Sequence, residues 1–219
     1  MKTNTRKLTV LAVLSAIAFV IMVVGRVQIM PIPPYLKYDP KDVILTIGGF
    51  LYGPLAAFMI TAVVSFVEMI TVSETGLIGL LMNIVAGCSF ACTAAFIYKK
   101  KSSIGGAAAG LVTACIFATA VMMMWNYIIT PIYTGIPRQA IASLLIPAFL
   151  PFNLIKNGLN AAFTFLLYRP VRAALEATGT VSALEQTESR RQNNIGAVAA
   201  AFFVILTCVL WVLTWQGKL

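Results

Sequence analysis

Asn153, Lys156, Asn157 and Asn160, in the run PFNLIKNGLN, stand at i, i+3, i+4 and i+7 inside a segment that is otherwise apolar. That spacing stacks side chains on one face of a helix. Three carboxamides and one ammonium on it can donate and accept hydrogen bonds. Such a set on one face is hard to explain by packing alone. The plainer reading is interhelical hydrogen-bond glue, with Lys156 snorkelling to an interface. Against it, Lys156 lies about twelve residues from either end of its apolar run, 144–168.

Other segments carry smaller polar sets on single faces. Thr119, Asn126, Thr130 and Tyr133 share one, and Thr61, Ser65 and Glu68 share another. Thr75 and Asn83 sit two turns apart at the start of a third segment. Each set alone also fits side chains bonded to their own helix backbone.

The surroundings define the solvent. Of 219 residues 60% are hydrophobic and 11% charged, against about 25% charged in soluble domains. The fold class is an all-α integral membrane protein, with lipid as solvent. Histidine, the commonest metal ligand and general base, is absent. Cys88, Cys92, Cys115 and Cys208 lie inside apolar runs without C-x-x-C spacing, as packing residues. The net charge of +9 does not point to nucleic acid, because the basic residues flank apolar segments. The opening MKTNTRKLTVLAVLSAIAFVIMVVG imitates a signal peptide. Its apolar stretch is longer than the usual ~7–15 residues and lacks a small-x-small cleavage site, so it reads as a retained first helix.

Seven apolar runs emerge: 8–26, 43–52, 54–71, 76–98, 104–134, 144–168 and 195–215. The second falls short of the ~20 residues that cross a bilayer. Pro131 should end the regular helix of the fifth near Ile129. A polar stretch, 169–194, reads as a surface helix or linker. With a cytoplasmic N-terminus, ten basic residues lie inside and five outside, in accord with the positive-inside rule. In that orientation Glu68, Asn83, Asn126 and Asn153 share the outer half of the bilayer and Lys156 lies slightly deeper. One pocket open to the outside would require that common depth. The loop 27–42 faces the same side; Tyr35 and Tyr38 could cover a flat ligand or serve as an interfacial aromatic belt.

The inner half differs. Ala12-x-x-x-Ala16 and the Gly106-x-x-x-Gly110 of GGAAAG let helices approach closely, for internal packing or for docking another membrane protein. No phosphate loop is present: Gly48-Gly-Phe-Leu-Tyr-Gly53-Pro lacks the Lys-Ser/Thr. A pocket without an engine implies a partner that supplies energy.

The ordered set Ala12-x-x-x-Ala16, YDPKDVILTIGGFLYGP (38–54), TGLIGLLMNIVAG (75–87), WNYIITPIY (125–133) and PFNLIKNGLN (151–160) resembles the substrate-binding S components of energy-coupling factor (ECF) transporters, most closely the riboflavin-specific type. The resemblance covers about residues 1–175. It implies a six-helix core binding one vitamin in its outer half, with Ala12 and Ala16 docking on a transmembrane coupling subunit above two ATPase subunits. It places Asn153, Lys156 and Asn126 against the flavin. Asn157, Asn160, Asn83, Glu68, Thr75 and Tyr38 are further candidates from the polar faces and the loop, and Trp125 is an aromatic neighbour. No cofactor is implied; riboflavin is cargo. The linker 176–194 and the seventh segment, 195–219, depart from the family pattern. Two other readings stand beside it: an S component for thiamine, pantothenate or folate, and a lipid-acting membrane enzyme using Glu68, Asp39 and Asp42.

Overall fold

In the computed structural model, which describes residues 2–29, 36–73, 75–177 and 195–217, the apolar runs are helices standing side by side in one bundle. They are α1 (Lys2–Gly25), α2 (Lys41–Tyr52), α3 (Pro54–Thr71), α4 (Gly76–Lys100), α5 (Ile104–Ile128), the short α6 (Thr130–Thr134), α7 (Arg138–Ala177) and α8 (Ile195–Trp215). Between α1 and α2 the chain forms a small antiparallel ribbon, β1 (Val27–Gln28) and β2 (Lys37–Tyr38), with Val27 opposite Tyr38. Tyr35 and the stretch from 178 to 194 lie outside the described residues.

Among the described residues six helices are long and apolar enough to cross a bilayer: α1, α3, α4, α5, α7 and α8. The second apolar run does not reach that length. Its helix, α2, has 12 residues and covers about 18 Å of a ~30 Å hydrocarbon core. The seven runs therefore become six spanning helices and one short buried one, preceded by Asp39, which is itself buried. Large apolar side chains such as Val13, Phe58, Phe66, Val112, Ile116 and Phe203 point outward from these helices. Lipid accepts such faces where water would not. The protein is a membrane protein.

Local chemistry sets the joints. Gly53 takes φ +91° between α2 and α3, a conformation that a Cβ disfavours. Pro54 then occupies the first turn of α3, where no amide hydrogen is missed. The Ser103 hydroxyl caps α5 by accepting from the Gly106 amide. Regular helix stops at Ile128, two residues before Thr130-Pro131, as the proline rule expects. The sixth run is longer than expected and begins at Arg138. It passes Pro147 in a π-helical turn, Leu145–Phe149, a wide turn that absorbs the missing amide.

Close packing concentrates at the end opposite the β-ribbon. A Cβ on Gly49 would meet the Ala95 and Ala57 methyl carbons at 2.8 and 3.0 Å, so glycine lets α2 sit tightly on α3 and α4. A Cβ on Gly110 would meet the Ala94 carbonyl oxygen at 2.9 Å, and one on Gly106 would collide with the Lys101 carbonyl. The Gly106-x-x-x-Gly110 pair is therefore used internally, where α5 closes on α4. Ala12 and Ala16 are exposed on α1. Phe50, Tyr98 and Tyr168 form an aromatic knot at this end, with the two phenols bonded at 2.8 Å. α8 lies along α7: Ile205, Cys208 and Val212 pack on a cluster that includes Ile155 and Leu159, and Gln216 reaches the Gln28 carbonyl at 3.3 Å.

Candidate functional site

At the ribbon end of the bundle, α3, α4, α5 and α7 enclose a cavity of about 180 Å³. One ordered water needs roughly 10–15 Å³, so the space suits a small organic molecule. Its wall holds Asn153, Lys156 and Asn157 from α7, Asn126 from α5, Glu68 from α3, Asn83 from α4, and Thr75 just before α4. The shared depth expected from sequence is realised as one enclosure.

The carboxamides are held in fixed orientations. Asn153 and Asn126 each donate to the carbonyl four residues back, at Phe149 (2.8 Å) and Met122 (2.7 Å). Asn126 also accepts from the Thr130 hydroxyl, and Asn157 donates to the Thr119 hydroxyl, both at 3.1 Å. A carboxamide carries two amide hydrogens and two lone pairs. Asn153 and Asn126 thus retain capacity to donate and accept toward the cavity. Met122, Phe152, Ala118 and Tyr133 supply apolar and aromatic wall between them.

Charge is more abundant here than the stripe alone announces. The Lys156 ammonium stands 3.6 Å from Asp42 Oδ2 on α2. The Lys41 ammonium lies 2.5 Å from Glu68 Oε2, 3.1 Å from Asn83 Oδ1 and 3.8 Å from Asp39 Oδ2. Arg26, at the end of α1, donates to the other oxygen of Glu68. Burial raises the Asp39 carboxyl, but Lys41, Lys156 and Arg26 outweigh it and hold that group below the usual carboxylate range. Three cations and three acids interleave, and Lys37 adds a further positive charge at the rim. A buried lysine demands a carboxylate, and a search for one near Lys156 leads to the acids of YDPKD. By sequence those acids also fit a membrane enzyme. In the structure Asp39, Asp42 and Glu68 are each beside a cation, an arrangement that suits a structural ion network rather than a free base.

Two candidates stand back from the wall. Asn160 and Tyr38 do not line the cavity. Asn160 is fully buried, one helical turn beyond Lys156 on α7. Its Oδ1 accepts from the Tyr38 hydroxyl at 3.0 Å, and its Nδ2 donates to Asp42 Oδ2 at 3.2 Å. Burial, with Asp42 and Asp39 nearby, pushes the Tyr38 phenol up, so it keeps its proton and remains a donor. Trp125 also lies outside the wall. Arg26 and Lys37 join the wall without a sequence signal, and Asp39 and Asp42 join it as ion partners rather than as the acids of an enzyme, because contacts between distant segments bring them to the cavity.

Glu68 has a structural role that can be measured. Glu68→Gln keeps the shape but leaves the buried Lys41 and neighbouring Arg26 without their shared anion. Removing one partner of a buried pair costs on the order of 3 kcal/mol or more. The thermal midpoint in detergent should fall by several degrees; an unchanged midpoint would show that Asp39 alone satisfies Lys41.

A model of the family described as the substrate-specific component of ECF transporters matches residues 6–168. The riboflavin transporter FmnP of Bacillus subtilis (strain 168) is 34% identical over 182 residues, covering 79% of this chain and 95% of its own length. The riboflavin transporter RibU of Staphylococcus aureus (strain TCH60) is 34% identical over 175 residues, covering 77% and 91%. RibU of Streptococcus thermophilus (strain ATCC BAA-250 / LMG 18311) is 27% identical over 182 residues, 79% of this chain and 86% of that one. A solved S component of a bacterial ECF transporter superposes with a TM-score of 0.69 at 31% identity, over 79% of this chain and 99% of that one. The family match ends before α8 begins.

Proposed function

The chain belongs to the substrate-specific components of ECF transporters, and from that membership we propose that it captures riboflavin in the cavity of α3, α4, α5 and α7 for import by an ECF complex. The observation that carries this is 34% identity across nearly the whole length of two riboflavin transporters.

The chemistry of the wall supports the reading. A flavin presents an imide edge, one N–H between two carbonyls, and the Asn153 carboxamide offers both complements. Lys156 can donate to a ring carbonyl or ribityl oxygen. Phe152 and Tyr133 provide flat apolar surface for the ring system. Asn126, Asn157, Asn83 and Thr75 supply further polar positions on the same wall. The chain binds and presents its cargo; it needs no bond-making chemistry of its own.

Energy comes from partners in this reading: a transmembrane coupling subunit and two ATPase subunits. Ala12 and Ala16, exposed near the middle of α1, form the docking face, since small residues four apart permit close helix contact in lipid. The ten-to-five distribution of basic residues puts the N-terminus in the cytoplasm and the cavity toward the outside of the cell membrane. Residues 1–175 act as the binding core and 176–194 as a cytoplasmic linker to α8.

Purification in detergent tests the reading directly. Protein from cells supplied with riboflavin should be yellow and show flavin absorption, and flavin fluorescence should quench on adding the ligand-free protein. A colourless preparation that quenches no riboflavin, yet is stabilised by thiamine, pantothenate or folate, would reassign the cargo.

A further inference from the structure

Asn160 and Tyr38 stand outside the cavity but are tied to it. Asn160 is fully buried and its two ends are both engaged, with the Tyr38 hydroxyl on one side and Asp42 on the other. The oxygen of Asp42 that takes the Asn160 amide is the same Oδ2 that faces Lys156 at 3.6 Å. Lys156 and Asn160 are i and i+4 on α7, neighbours on one helical face about 6 Å apart along the axis. One carboxylate on α2 therefore bridges both. Tyr38, in β2, closes the line from the ribbon: Tyr38, Asn160, Asp42, Lys156.

A leucine at 160 would fill the same place without the cost of burying an amide. The amide instead takes up one lone pair of Asp42 Oδ2 and limits where that carboxylate can point. Lys41 and Asp39 stand nearby as competing charges, with Lys41 3.8 Å from Asp39 and committed to Glu68. Without the Asn160 amide, Asp42 is free to turn away from α7. A lysine on a four-carbon stem goes where its counter-ion holds it.

We propose that Asn160 is a positioning residue: anchored by Tyr38, it sets the Asp42 carboxylate and through it the Lys156 ammonium against the cavity. It never touches the ligand. The role deepens the riboflavin reading, and its affinity consequences rest on that reading.

The test pairs a thermodynamic cycle with a measurement that needs no ligand. In purified protein, Asn160→Leu should weaken riboflavin binding by about tenfold and Tyr38→Phe by a few-fold. In a Lys156→Met background the same two changes should alter affinity by less than twofold, because nothing remains to position. A purely structural role would give equal losses in both backgrounds and would overturn the proposal. Separately, ligand-free protein is treated with trinitrobenzenesulfonate and labelling at Lys156 is followed by peptide mass spectrometry. Asn160→Leu and Tyr38→Phe should both label Lys156 faster than the parent chain, with labelling at Lys99 and Lys100 unchanged. Unaltered labelling at Lys156 would also overturn it. Should Asn160→Leu not fold, Tyr38→Phe removes a single hydroxyl and carries both arms. If the parent chain binds no riboflavin, the cargo assignment fails while the labelling result still decides the positioning role.

Discussion

Lys156→Met is expected to weaken riboflavin binding by about 10- to 100-fold. A hydrogen bond from a charged donor is worth about 1.5–3 kcal/mol, and each ~1.4 kcal/mol is tenfold in affinity. Methionine keeps the length and apolar volume of the lysine stem, so loss of packing does not confuse the result. The change also strands Asp42, which is buried and 3.6 Å from the missing ammonium. A carboxylate left without its partner in such a place costs about 3–5 kcal/mol of stability. The double variant Lys156→Met, Asp42→Asn removes both charges and should recover most of that stability without recovering affinity. Titration by fluorescence quenching and a thermal midpoint on the same samples separate the two effects. An affinity within twofold of the parent chain would remove Lys156 from the binding site.

Ala12→Trp should do the opposite. Ala12 lies thirteen residues before Gly25, the last residue of α1, which is about 20 Å along the axis from the cavity end. Its side chain is exposed, so a large ring there disturbs no internal packing. Riboflavin affinity of the purified chain should stay within twofold. Uptake of labelled riboflavin by cells that also make the coupling and ATPase subunits should fall at least tenfold, because the indole holds the partner helix off the small-residue face. Loss of both affinity and uptake would merge the two regions into one. Uptake at the parent level would take the docking face away from α1.

The polar stripe shows how far the sequence carried the site and where it stopped. Asn153, Lys156 and Asn157 could be placed on one face from spacing alone, and all three line the cavity. Asn160 belongs to the same stripe but is fully buried and off the cavity wall. Periodicity assigns a face and says nothing of how far along the helix a neighbouring element reaches. Asp42 stands in sequence as an acid just before a short apolar run, without a visible counter-ion, since its partner Lys156 lies 114 positions later in the chain. The two small-residue pairs looked alike in sequence, yet Gly110 is spent against the Ala94 carbonyl while Ala12 and Ala16 stay exposed.

Residue composition and spacing by themselves determined the solvent, the helices, the faces on which the polar groups recur and the family resemblance. All of these depend on how apolar a stretch is and how its exceptions recur, which are properties of neighbours along the chain. The tertiary structure alone decided which acid neutralises which cation, which amides face the cavity and which support it from behind, and which small residues remain open to a partner. Those outcomes depend on burial, where an unpaired charge is too costly to persist, and burial is created by segments far apart in sequence meeting in one bundle.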